Sequence, residues 1–78
     1  MTKREVKNII CGELNVKKDF FDGKEDKNLS EMGIDSLDKI ECLLLMEDKF
    51  NIEVDARANQ VQTLNSIFVI LKEYGLED

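Results

Sequence analysis

Apolar side chains recur every three or four positions in three separated stretches of this chain, the pattern of amphipathic helices. In the first, Val6, Ile10 and Leu14 repeat at i+4 with Ile9 beside them, leaving Lys3, Arg4, Lys7 and Glu13 for solvent. Thr2 followed by Glu5 is a capping-box pair, which satisfies two helix-start amides reciprocally. Asn15 suits a left-handed C-cap, and Gly12 weakens the last turn by about 1 kcal/mol relative to alanine.

From Val16 to Asp35 no period holds. Polar, turn-rich runs bracket Phe20-Phe21, and Leu29, Met32 and Ile34 are spaced singly, as loop residues pinned to a core would be. So long a connection in so short a chain points to function or to an element that the period misses. Asp22 and Asp26 hint at a calcium loop, but the turn-glycine and terminal-glutamate positions hold Lys27 and Gly33. The spacing fails.

A second helix is expected from Ser36 to Phe50, with Asp35 or Ser36 as N-cap and Asp38 at the positive end of the helix dipole. Spacing the residues at 100° separates two apolar stripes. Cys42, Leu43, Met46 and Phe50 form a core face. Leu37, Ile40 and Leu44 lie nearly opposite, among Glu41, Glu47 and Asp48. Either the helix is buried on two sides, or it shows solvent an apolar strip rimmed by carboxylates. Asn51 to Asp55 reads as an extended link with Ile52 and Val54 turned inward, followed by one short helical turn over residues 56–61. The last helix starts at the Thr63 N-cap, buries Leu64, Ile67, Phe68 and Leu71, and stops at Gly75. The expected fold is all-α: a small four-helix bundle of three main helices and one short one, with a long first loop, in a single domain over residues 1–78.

Composition narrows the function. At 42% hydrophobic, 78 residues supply a modest core but not a deep catalytic cleft as well. No apolar run is long enough to span a bilayer, and the N-terminus has no secretory h-region, so a cytoplasmic protein is expected. Cys11 and Cys42 have no metal-type spacing and there is no histidine to complete a site, so no metal is expected and both thiols read as buried and free in a reducing compartment. The net charge of −6 is uneven: residues 1–18 carry +3 and residues 19–78 carry −9. An acidic surface argues against nucleic acid and for basic protein partners.

Ser36 is the residue whose setting suggests covalent chemistry. Without a histidine it has no general base for hydrolysis, and Lys39 one turn on brings no oxyanion hole, so no catalytic residue is expected. A helix N-terminus does favour a phosphate-linked group. For an isolated Asp-Ser-Leu tripeptide, however, capping alone explains the serine.

The tripeptide has flanks. Leu29-Ser30-Glu31-Met32-Gly33-Ile34-Asp35-Ser36-Leu37-Asp38-Lys39-Ile40-Glu41, continued by Leu45-Met46-Glu47-Asp48-Lys49-Phe50 and Ile52-Glu53-Val54, closely resembles the acyl carrier proteins. The resemblance runs through the Val6–Ile10 helix, the long loop and Thr63-Leu64. It implies that a phosphopantetheinyl transferase esterifies Ser36 to 4′-phosphopantetheine from coenzyme A, and that cargo rides on the arm as a thioester. It implies a non-catalytic, monomeric carrier for fatty acid biosynthesis, serving acyl-loading, elongating and transferring enzymes with basic docking patches. A D-alanyl, aminoacyl or polyketide cargo, or an unmodified helical adaptor, are the alternatives. The resemblance further implies that Asp35, Leu37, Asp38, Ile40, Glu41, Leu44, Glu47 and Asp48 face partners, and makes Met46 and Ile67 candidates for lining a shelter for acyl chains, with plain core packing as their alternative role. The chain departs from the family at Ala56-Arg57-Ala58-Asn59, where relatives carry acids. Lys39 stands where a small or neutral residue is common, and Met32 replaces the usual leucine.

Overall fold

The computed structural model describes residues 1–77 and is all-helical, with no strand among them and one isolated parallel bridge between Thr2 and Glu77. Helix α1 spans Lys3–Leu14. Its capping box is closed: the Glu5 amide donates to Thr2 Oγ1 at 3.2 Å and the Thr2 amide to Glu5 Oε1 at 3.0 Å. Asn15 ends it at φ 57°, as its sequence position predicts. Val6, Ile10 and Cys11 are buried, with Ile9 and Leu14 packed at the core edge.

The long connection is more ordered than its lack of period suggests. Phe21 is completely buried, and Phe20 meets its ring edge-on with centroids 5.1 Å apart. Asn28 accepts from the Ser30 amide at 2.9 Å and opens a 3-10 turn over Leu29–Met32, in a stretch where no helical period holds. The turn closes on Gly33 at φ 83°, a left-handed conformation that disfavours a side chain. The connection is also tied across the molecule. The Leu29 amide donates to Gln62 O at 2.8 Å, and Asn65 Nδ2 to Asp26 Oδ1 at 2.6 Å. The two aspartates that hinted at calcium are thus committed elsewhere, Asp26 to Asn65 and Asp22 to Lys7 at 3.4 Å.

Helix α2 spans Ser36–Phe50, packs against α1 and buries Cys42, Leu43 and Met46; Phe50 is only half-buried. Asn51 closes it in the left-handed conformation at φ 56°. Val54 is buried and Ile52 half-buried, as the inward reading of that link requires. The short helical turn is a 3-10 segment over Asp55–Gln60, one residue earlier than expected. Arg57 fastens it to the end of the last helix by an ion pair with Glu73 at 2.8 Å. Helix α3 spans Leu64–Lys72, capped by Thr63 and Ser66, whose side chains each accept from the other's amide at 3.0 Å. It buries Leu64, Ile67, Phe68, Ile70 and Leu71. Beyond it, Gly75 at φ 98° lets the Leu76 amide reach back to Leu71 O.

Candidate functional site

The turn at Leu29–Met32, the glycine at 33 and the buried Ile34 deliver the chain to the N-terminus of α2. There the choice of cap left open by the sequence is decided. Asp35 caps the helix: its Oδ1 accepts from the Asp38 amide at 2.9 Å, while Asp38 Oδ2 accepts from the Asp35 amide at 3.2 Å. Ser36 is therefore the first residue inside the helix, exposed, with its hydroxyl making no hydrogen bond among the described residues. The first i→i−4 bond is the one from the Lys39 amide to Asp35 O, so the Ser36 and Leu37 amides precede the ladder and remain available to an anion.

An open cleft of about 610 Å³ lies beside Ser36, lined by Asn28, Ser30, Lys39, Asn59 and Gln62 among others. Behind it, between the helices, is an apolar crevice of about 10 Å³ lined by Ile10, Leu14, Phe21, Ile34, Cys42 and Ile67. Ile67 therefore stands where a shelter for cargo was expected. Met46 does not line the crevice and is buried outright.

The second stripe of α2 faces solvent. Leu37 is 61% exposed, Leu44 46% and Ile40 39%, so the helix is not buried on two sides. Leu45, which belonged to neither stripe, is also exposed. The acids around the strip differ in what they do. Glu41 and Asp48 are exposed and make no ion pair among the described residues. Asp35 and Asp38 serve the cap. Glu47 is half-buried, and its Oε2 accepts from the amides of Val54 and Asp55, each at 2.7 Å. It thereby starts the second 3-10 segment, whose own first residues offer no side-chain cap. No pattern around residue 47 announces this clasp seven residues away.

The Asp55 and Val54 amides hold the Glu47 carboxyl below its ordinary range, while the side chain of Asp55 is pushed up by Glu47. A lowered carboxyl stabilises the fold above its unfolded value and loses that contribution as pH falls through the folded one. Asp55 acts in the opposite sense, losing its contribution as pH rises through its raised value. Two short bonds to backbone outweigh a repulsion that solvent screens. Glu47→Gln is accordingly expected to lower the urea midpoint at neutral pH, and the gap to the parent should close in acid. A gap independent of pH would mean that the ionised carboxylate is not what the amides hold.

The two thiols are free and buried, Cys42 pushed up to about 12 chiefly by burial, with Glu13 and Asp38 adding to it. Burial likewise raises Cys11. Neither is poised as a nucleophile.

The family described as phosphopantetheine attachment site matches residues 4–67 of the chain. The chain belongs to this family of phosphopantetheine-bearing carriers. Its similar relatives are named acyl carrier proteins: one from Wolinella succinogenes is 33% identical over 81% of this chain and 83% of the relative. One from Sulfurovum sp. is 39% identical over 77% and 80%, and one from Buchnera aphidicola is 32% identical over 92% of each. No solved structure matches. Acyl carrier proteins, the relatives this chain resembles, are carriers rather than catalysts. Among the described residues no helix is long and apolar enough to cross a membrane.

Proposed function

We propose that Ser36 is the attachment point of 4′-phosphopantetheine, and that the chain shuttles acyl intermediates as thioesters on that arm, in the cytoplasm and for fatty acid biosynthesis. The observation that carries this reading is the exposed, unengaged hydroxyl of Ser36 at the start of α2, with Asp35 already supplying the cap. A phosphodiester formed there meets the amides of the helix start and the positive end of its dipole. The arm decouples tethering from chemistry, keeping the cargo at high effective concentration for whichever enzyme has docked. Incubation with coenzyme A and a broad-specificity transferase, followed by intact-mass measurement and peptide mapping, tests it. One added phosphopantetheine on the peptide containing Ser36 is the expected result; an unchanged mass would sink it.

The transferase and the acyl-handling enzymes dock, in this reading, on α2. Leu37, Ile40 and Leu44 supply the apolar strip, and Asp35, Asp38, Glu41, Glu47 and Asp48 its acidic rim. Within that rim Glu41 and Asp48 are the steering charges, because the other three carboxylates also hold backbone. Glu41→Lys should slow modification several-fold, more at low salt than at high, since steering over exposed charges is screened. Equal rates for variant and parent would place the docking face elsewhere.

A second reading keeps the carrier chemistry and changes the cargo. It is favoured by the crevice of about 10 Å³, no larger than the roughly 10–15 Å³ that a single water needs, with a lysine at its edge. That arrangement suits a short or polar passenger better than an alkyl chain.

A further inference from the structure

Among the described residues, Lys39 is the one charged residue in the wall of the cleft beside Ser36, and the one charged residue in the wall of the apolar crevice behind it. It is half-buried, one helical turn beyond Ser36 on the same side of α2, and forms no ion pair among the described residues. Among the described residues no aspartate or glutamate lines either cavity. The other polar groups of the cleft, from Asn28, Ser30, Asn59 and Gln62, are neutral. A lysine that borders both spaces treats possible occupants unequally. An uncharged alkyl chain entering the crevice must push the stem aside and bring hydrocarbon against a cation, with nothing to offset the lost hydration. An anionic group in the cleft gains a charge-assisted hydrogen bond instead.

We propose that Lys39 is a specificity-determining residue, which favours a thioester cargo ending in a carboxylate over an uncharged alkyl cargo of the same length. The proposal rests on the carrier reading of Ser36. The cargo sits in the open cleft, its carboxylate at Lys39 Nζ, and the crevice stays closed. The arm's own phosphodiester is a second anion within reach of this turn, so the test separates the two.

The parent, Lys39→Met and Lys39→Arg are loaded from hexanoyl- and adipoyl-coenzyme A, and intact mass verifies loading. Thioester half-life against hydroxylamine is then compared, each normalised to the same thioester on free pantetheine. In the parent the adipoyl thioester should outlast the hexanoyl one by about fivefold, the upper range for a partly exposed ion pair. Lys39→Met should abolish the difference and Lys39→Arg should keep it. The Lys39 side-chain NMR shifts should move on going from the holo to the adipoyl form, but not from the holo to the hexanoyl form. Equal half-lives, a difference that survives Lys39→Met, or shifts that move fully on phosphopantetheinylation alone would overturn the proposal. The last of these would assign the lysine to the phosphodiester. Failure to load any arm is read from the mass before the cargo comparison, and would overturn the carrier reading itself.

Discussion

Phe21→Ala is expected to cost about 3–5 kcal/mol of folding free energy, measured by urea titration. Phe20→Ala next to it should cost clearly less. Both rings lie in the connection between α1 and α2, yet Phe21 is wholly enclosed while Phe20 stays half-exposed against its edge. Removing Phe21 empties the space beneath the connection, which helix ends cannot easily collapse to fill. Stabilities of single domains run about 5–15 kcal/mol, and a chain of this size with a net charge of −6 sits toward the bottom of that range. The loss would leave a substantial unfolded fraction at 37 °C. It also bears on the site, because the same connection carries the Leu29–Met32 turn that leads into α2. A cost near 1 kcal/mol for Phe21→Ala would mean that this segment lies over the bundle without anchoring it.

How far the sequence reveals the molecule depends on the range of each signal. The helices were legible because period, caps and breakers all act within a few residues: Thr2 with Glu5, Asn15, and Thr63 before Leu64 each do what their positions predict. The exposed strip of α2 was legible as one of two alternatives, and only packing could decide, since the core takes the side of Cys42, Leu43 and Met46. The cap of α2 was ambiguous because Asp and Ser cap about equally well and stand side by side. What the sequence hid acts at longer range. The Leu29–Gln62 bond, the clasp of Glu47 on Val54 and Asp55, and the Arg57–Glu73 pair join residues whose separation follows no period. The turn at Leu29–Met32 had a local signal, Asn28 two positions before Ser30, which a search for helical period passes over. Lys39 was conspicuous in the sequence as a departure from the family. That it borders both the cleft and the crevice follows only from the packing of α2 against the connection, the second 3-10 segment and α3.

Ser36→Ala is expected to abolish phosphopantetheinylation completely while leaving stability within about 0.5 kcal/mol of the parent. The two halves of that expectation have one structural cause. Because Asp35 holds the Asp38 amide, the Ser36 hydroxyl contributes nothing to the helix start, and alanine is a good helix former at the position it vacates. Asp35→Ala is the mirror experiment. It should lower stability by about 1 kcal/mol through loss of the cap and leave a hydroxyl that can still be modified, more slowly because the helix start is loosened and one acid of the docking rim is gone. Intact mass and urea titration on both variants separate an attachment serine from a capping one. Should Ser36→Ala destabilise as much as Asp35→Ala, the hydroxyl would be part of the helix start after all. Mass addition that persisted in Ser36→Ala would move the arm to another side chain. The exposed strip of Leu37, Ile40 and Leu44, one to eight residues further along α2, would then no longer be placed to present it.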